Sequence, residues 1–214
     1  MVEFGEPFPT DIYYRTLVKQ GEAILKYAEA FRDGDVSRVL STLYWGSSGR
    51  TVFVTGVGKS GNIASKIAST LTSTGTPAHY LCPLEALHGG LGACRFGDII
   101  IILSKSGETC EILDMLPHLQ RNEVTLISIT SNENSTLAKA SNMVLPYEAN
   151  ECCGTGFIPT TSTTLSLVIG DAIAMSIMLM NEDFKIETFA NFHPGGSLGQ
   201  LVRDSIGSVD FKVK

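Results

Sequence analysis

Lys59, Glu111, Glu151 and His193 are the side chains in this sequence best suited to move protons or steady charge. Lys59 lies in Gly56-Val57-Gly58-Lys59-Ser60-Gly61, between a β-branched run and a helical pattern. Glycines in that place let backbone N–H groups approach an anion at a helix start, and the lysine adds a charge. The G-x-G-x-x-G spacing also fits a dinucleotide fingerprint, but the following segment PAHYLC offers no acid for a ribose hydroxyl, Glu85 lying beyond Pro83. A Walker loop is excluded, because it needs glycine where Phe53 stands.

Ser104-Lys105-Ser106-Gly107-Glu108-Thr109 stands at another helix start. The hydroxyls of Ser104, Ser106 and Thr109 exceed what one N-cap requires, and beside helix N–H groups they read as a phosphate cradle; an ordinary cap with solvated neighbours is the plainer alternative. Thr130-Ser131-Asn132 forms a further polar strand end, and the run Thr160 to Thr164 is either cap or ligand surface. Glu111 falls in the first turn after the cradle, a place the helix dipole alone favours. Glu151 sits in the irregular ANECCGTGFIP, and His193 in NFHPGGSLGQ, held extended by Pro194. His88 in EALHGG has a similar setting, whereas His79 and His118 read as structural or exposed.

The elements that must position these residues alternate. Leu17, Ile24, Leu25, Ala28 and Phe31 predict a helix from Thr10 to Phe31, and Val36, Val39, Leu40, Leu43 and Tyr44 mark a second. The strand TVFVTGV then feeds a helix, KSGNIASKIASTLTSTG, closed by Gly75. The pattern repeats through PAHYL, a short helix after Pro83, DIIIILS, a helix through Leu113, Leu116 and Leu119, VTLISIT, a helix near Leu137, and NMVLPY. Such alternation predicts an α/β fold with a parallel sheet of about five strands and helices on both faces. The near-continuous apolar strands agree, since strands covered on both sides lose the in-out alternation. Ligands in such sheets bind at the carboxyl ends of the strands, where the candidate loops fall.

With 214 residues, 43% apolar and 18% charged, the chain has the composition of one folded domain rather than a disordered segment. Residues 1–46 read as an N-terminal helical arm packed on a single folding unit, residues 47–214. A net charge of −6 argues against nucleic acid or an anionic membrane surface as partner. The cysteines (Cys82, Cys94, Cys110, Cys152, Cys153) form no C-x-x-C pair and point to a reducing cytoplasm. Glu3, Glu6, Pro7 and Pro9 stand where a secretory signal would have a basic flank and an apolar run. Thr164 to Met180 is apolar, but it is short for a membrane span and interrupted by Gly170 and Asp171, so it reads as a buried core helix.

From about Val52 to Val202 the sequence resembles the sugar isomerase (SIS) domain, and within it the D-arabinose 5-phosphate isomerases. The resemblance is carried by GVGKSGNIASKIASTLTSTGTPAHYL, PLEALHGGLG, ILSKSGET, EILDMLP, IPTTSTTLSLVIGDAIAM and FHPGGSLG. It implies an αβα sandwich around a five-stranded parallel sheet, and interconversion of arabinose 5-phosphate and ribulose 5-phosphate without a redox cofactor. The product of that reaction feeds synthesis of Kdo, the acidic sugar of lipopolysaccharide and some capsules. The resemblance places Lys59, Glu111, Glu151 and His193 in the catalytic set, with the site shared between subunits of a homotetramer. It implies substrate contacts from Gly58, Ser60, Gly75, Thr76, His88, Ser104, Ser106, Thr109 and Thr130. The sequence departs from the family in three places. It stops at Lys214 without the usual pair of cystathionine β-synthase-type modules, and so resembles the short members. It has Cys82 where a histidine linked to inhibition by a divalent metal is common, and Glu151-Cys152-Cys153-Gly154 replaces E-A-C-P.

Aldose–ketose isomerisation needs a base for the proton alpha to the carbonyl and an acid for the adjacent oxygen as a cis-enediol forms. His193 is assigned to ring opening and proton shuttling, Glu111 or Glu151 to the transfer between C1 and C2, and Lys59 to charge stabilisation, with Ser104, Ser106 and Thr109 on the phosphate. The alternatives are an isomerase of a heptose or hexulose phosphate and a non-catalytic sugar-phosphate sensor. Without a regulatory module, feedback by CMP-Kdo is expected to act at the substrate pocket itself.

Overall fold

The computed structural model describes residues 10–30, 33–46, 49–152 and 156–206. Two helices, α1 (Thr10–Glu29) and α2 (Asp33–Gly46), precede the alternating part of the chain. There β1 (Val52–Gly56), α3 (Lys59–Ser73), β2 (Ala78–Leu81), α4 (Pro83–Leu87), β3 (Ile99–Leu103), α5 (Cys110–Arg121), β4 (Thr125–Thr130), α6 (Thr136–Ala140) and β5 (Met143–Pro146) follow in turn. The long α7 (Thr161–Met180) and two short helices, α8 (Ile186–Phe192) and α9 (Gly196–Ser205), complete the described chain. The strands form one parallel sheet in the order β2-β1-β3-β4-β5, with Val54 opposite both Tyr80 and Ile101, and Ile127 opposite Met143.

Because side chains alternate along a strand, each strand supplies both faces of the sheet. Val52, Val54, Ile99, Ile101, Leu103, Ile127 and Ile129 meet α3 and α7 on one face, through Ile67, Leu71, Leu165, Ile169 and Ile173. Phe53, Ile100, Ile102 and Leu126 meet α5 and α6 on the other, through Ile112, Met115, Leu119 and Leu137. The runs IIIIL and VFVTG are buried throughout, which is why they carry no polar alternation. Val39 and Leu43 of α2 are fully buried in the first of these clusters. Each fully buried aliphatic side chain stabilises the fold by about 1.5–3 kcal/mol, so α2 is held by the same core as the sheet.

Of the helices in the described residues, α7 alone is long and apolar enough to cross a membrane. One side of it, Leu165, Ile169, Ile173, Ala174 and Ile177, is buried in the core, as expected for a core helix. Its contact with α3 is close at Gly170, where an added Cβ would lie 2.3 Å from Cδ1 of the buried Ile67.

Candidate functional site

The parallel sheet sends the segments after β1, β2, β3, β4 and β5 to one edge. Strand order reverses direction between β1 and β3, so the Gly56–Lys59 turn and the Ser104–Thr109 turn leave neighbouring strands at the place where open α/β sheets take ligands.

Ser104 continues β3, its N–H donating to the Ile129 carbonyl at 3.2 Å. Its hydroxyl turns inward: Oγ lies 2.9 Å from Thr109 Oγ1 and accepts the Gly107 N–H at 3.2 Å. One buried hydroxyl thereby ties the start of the turn to the N-cap of α5. Ser106 is exposed and accepts the Glu108 N–H at 3.1 Å. Glu108 Oε1 accepts the Thr136 N–H at 2.7 Å, and this bond holds the Glu108 carboxyl below the usual range. Gly107 has φ +67° and packs against Ser135, the N-cap of α6. Thr130 is buried and serves the same turn: Thr130 Oγ1 (3.1 Å), Ser131 N–H (3.0 Å) and Ser131 Oγ (2.8 Å) all donate to the Lys105 carbonyl.

Lys105 Nζ donates to Glu151 Oε1 at 2.7 Å. Glu151 Oε2 accepts the N–H groups of Thr160 (2.8 Å) and Ser162 (3.3 Å) and the Thr160 hydroxyl (3.2 Å). The carboxylate therefore satisfies the start of α7, where the helix dipole favours a negative charge. Its backbone carbonyl accepts Lys19 Nζ of α1 at 2.9 Å. Burial pushes the Glu151 carboxyl up, but the hydrogen bonds from Lys105, Ser162 and the backbone N–H groups together outweigh it and hold the group at about 2.

That depression has a measurable consequence. An unfolded glutamate titrates near ~4.3, so between there and about 2 the unfolded chain binds a proton that the folded chain does not. The stabilisation is complete above that window and lost as pH falls through it. Acid unfolding followed by circular dichroism should therefore be less steep in Glu151→Gln than in the parent across this window, by on the order of 3 kcal/mol. Equal slopes would show that the carboxylate is not held this way.

Lys59 is the exposed first residue of α3, with Gly58 as its N-cap and the half-buried Ser60 next to it. Glu111 is the exposed second residue of α5. His88 is the exposed C-cap of α4, after β2. All stand on the carboxyl side of the sheet with Ser104, Ser106, Thr109, Thr130 and Glu151. Gly75 and Thr76 do not: they join α3 to the start of β2 at the opposite, amino-terminal end, and the 15 residues of α3 separate the ends by about 22 Å.

His193 keeps company with that far end. It is the C-cap of α8, its ring stacks on Phe189 at 4.0 Å, and its neighbour Phe192 packs beside Gly75. Within one chain, then, His193 is not brought among Lys59, Glu111 and Glu151. Its Nδ1 lies 2.9 Å from the Phe189 carbonyl, which can only accept, so Nδ1 is the donor in this contact.

Cys82 is the half-buried N-cap of α4, near the Tyr80 phenol, which burial and then the charges of Cys82 and Glu85 push up. Cys153 lies outside the described residues. Sequence reasoning did not give Lys105 a role; the available signal was a lone cation inside the hydroxyl run. It also left Thr160 and Ser162 unassigned between cap and ligand surface, and the structure makes them the partners of Glu151.

The inward Ser104 hydroxyl supports the shape of the turn, and the exposed Ser106 hydroxyl is the one free to meet a ligand. Ser104→Ala with Ser106→Ala should raise KM for a sugar phosphate more than it lowers kcat, since the turn's hold on a phosphate is felt in ground and transition states alike. Steady-state kinetics with a constant KM and a collapsed kcat would assign these hydroxyls to the chemistry instead.

The SIS domain profile matches residues 47–176, and the chain belongs to the SIS domain family. It is 42% identical over 205 residues to arabinose 5-phosphate isomerase KpsF of Escherichia coli O6:H1, a match covering 95% of this chain and 62% of that protein. It is 45% identical over 170 residues to arabinose 5-phosphate isomerase KdsD of Pseudomonas aeruginosa, covering 79% of this chain and 52% of that one. The chain thus spans between half and two thirds of the length of these curated relatives. A solved structure of an E. coli CFT073 protein, described as a complex with arabinose 5-phosphate, superposes with a TM-score of 0.76 at 34% identity, covering 88% of this chain and 100% of that one.

Proposed function

We propose that the chain is an aldose–ketose isomerase interconverting D-arabinose 5-phosphate and D-ribulose 5-phosphate through a cis-enediol, in the supply of Kdo for lipopolysaccharide or capsule. The observation that carries this reading is the joining of a hydroxyl-rich turn at a helix start to a buried carboxylate, Glu151, at the switch point of the sheet. Relatives named for this reaction, and a solved relative described with arabinose 5-phosphate bound, support it.

In the forward direction a base takes the C2 proton while the C1 carbonyl oxygen gains one, giving the enediol. The proton then returns to C1 as the C2 hydroxyl gives up its own. Hydrogen stays within the sugar and its acid–base partners, so no redox cofactor enters the reaction. Glu151 or Glu111 takes the carbon-bound proton, Lys59 steadies the enediolate, and His193 opens the furanose ring. No step calls on a metal ion, and among the described residues no group of three or more His, Cys, Asp or Glu side chains could hold one.

His193 reaches such a site from a neighbouring copy, and the assembly proposed is a homotetramer in the cytoplasm. The exposed apolar side chains Ile12, Tyr13, Tyr14, Leu17 and Leu25 along α1 support an assembly, being more apolar surface than one small domain leaves uncovered without reason. Light scattering should give a tetramer, and an active monomer at micromolar concentration would overturn the shared site. CMP-Kdo, with its phosphate and polyhydroxylated acid, is proposed to compete for the same pocket.

The deciding experiment is an assay of the purified chain on pentose, hexose and heptose phosphates in heavy water. Arabinose 5-phosphate should yield ribulose 5-phosphate with deuterium incorporated at the exchanging carbon. Turnover of another sugar alone would move the substrate assignment, and binding without turnover of any would make the chain a sensor.

A further inference from the structure

Lys105 lies in the middle of the Ser104–Thr109 turn, so a phosphate received by that turn meets its ammonium. The same ammonium donates to Glu151 Oε1 at 2.7 Å. The partners are unequally placed, the Glu151 side chain being 1% exposed and that of Lys105 38%. Glu151 is fixed by Thr160 and Ser162 of α7 and, through its carbonyl, by Lys19 of α1. The Tyr147 phenol, after β5, stands close enough to feel its charge. The backbone of Lys105 is equally fixed, with Thr130 and Ser131 donating to its carbonyl. What can swing is the flexible four-carbon stem between a pinned peptide and a pinned carboxylate.

We propose that Lys105 is a positioning residue that pairs with Glu151 in the empty site and leaves it for the phosphate group when substrate binds, so that the phosphate itself readies Glu151 to act as a base. The proposal rests on the isomerase reading above. A carboxylate held at about 2 is a weak base, and efficient proton transfer wants a group titrating nearer the working pH. Once the ammonium moves to a doubly charged phosphate, burial is less compensated and the proton affinity of Glu151 rises. A sugar lacking the phosphate would reach the site but leave the base tied up, so phosphate recognition is expressed in kcat as well as in KM.

The test is calorimetric titration with sulfate at pH 5 in two buffers of different ionisation enthalpy, which counts protons taken up. Sulfate is a dianion at that pH with no titrating proton of its own. The parent protein should take up roughly a quarter of a proton or more per sulfate, the share of a carboxyl returned to ~4.5 or above. Lys105→Met should bind sulfate more weakly and take up none, Lys105→Arg should keep the uptake, and Glu151→Gln should lose it. The last variant serves if Lys105→Met does not fold.

In kinetics Lys105→Met should raise KM for the sugar phosphate about 10-fold or more, because the phosphate loses the ammonium it would receive, with Lys105→Arg restoring most of it. The acid limb of kcat/KM should move upward in Lys105→Met, because Glu151 of the free enzyme is no longer held by the lysine; a merely structural lysine would leave that limb in place. Sulfate binding without proton uptake overturns the release, as does absence of sulfate binding or an unchanged KM in Lys105→Met. Uptake that depends on Lys105 in a chain that turns over no sugar phosphate would uphold the release and overturn the isomerase reading. Turnover of arabinose 5-phosphate without uptake would do the reverse.

Discussion

Glu151→Gln and His193→Ala should each lower turnover of arabinose 5-phosphate by at least ~100-fold with the circular dichroism spectrum unchanged, because a positioned acid or base contributes ~10² to 10⁴. Glutamine keeps an oxygen for the N–H groups of Thr160 and Ser162, so the start of α7 remains satisfied while the proton acceptor is lost. His193 is half-buried at the end of a short helix, and alanine there removes the stacking on Phe189 without opening the main core. The two losses should also complement each other. Since His193 stands apart from Glu151 within one chain, mixed assemblies of the two inactive variants should contain some sites with both residues intact. Recovery of activity on mixing and reassembly would place the two residues on different chains. Near-parent kcat in either variant would remove that residue from the mechanism.

The second large effect is expected at Gly107. Alanine there must adopt φ +67° and place its Cβ 2.1 Å from Ser135 Oγ, the atom that accepts the Ala138 N–H at the start of α6. Left-handed strain of about 1 kcal/mol, overpacking of about 1–3 kcal/mol and a weakened cap combine to a loss on the order of 3 kcal/mol. For a domain of this size that lowers Tm by roughly 10 °C. Differential scanning calorimetry showing a shift under ~2 °C would mean that the turn accommodates the methyl group by moving, and affinity for phosphate would then carry the change instead.

The fold was legible because its strands are buried on both faces. Runs such as Ile99–Leu103 have no reading other than a covered parallel strand once Gly- and Ser-rich turns and helical patterns flank them. Helix ends were less so: the spacing predicts a first helix through Ala30 to Phe31, whereas α1 ends at Glu29 with Ala30 in a turn, Phe31 lying outside the described residues. At the site, residue types gave the candidate side chains but not their directions. Ser104 reads as a ligand hydroxyl, and its Oγ bonds within its own turn, to the Thr109 hydroxyl and the Gly107 N–H, which also donates to the Ser104 carbonyl. Glu108, given no role by the sequence, caps α6 across 28 residues. The Lys105–Glu151 pair spans 46 residues, and no local pattern encodes a contact that the sheet alone creates. Gly75 and Thr76 follow the helix that begins at Lys59, and the length of that helix carries them to the opposite end of the sheet.

The notch at Gly170 bears on the width of the grip. α3 begins at Lys59 and α7 begins beside Glu151, so the two helices run from the same edge like the arms of a caliper. Their separation is set where Ile67 sinks against Gly170, about 13 Å along each arm from its tip. A side chain at residue 170 would wedge the arms apart where they are packed most closely. The spacing of the two helix starts at the carboxyl edge is therefore set by a contact inside the core, well away from the side chains displayed there.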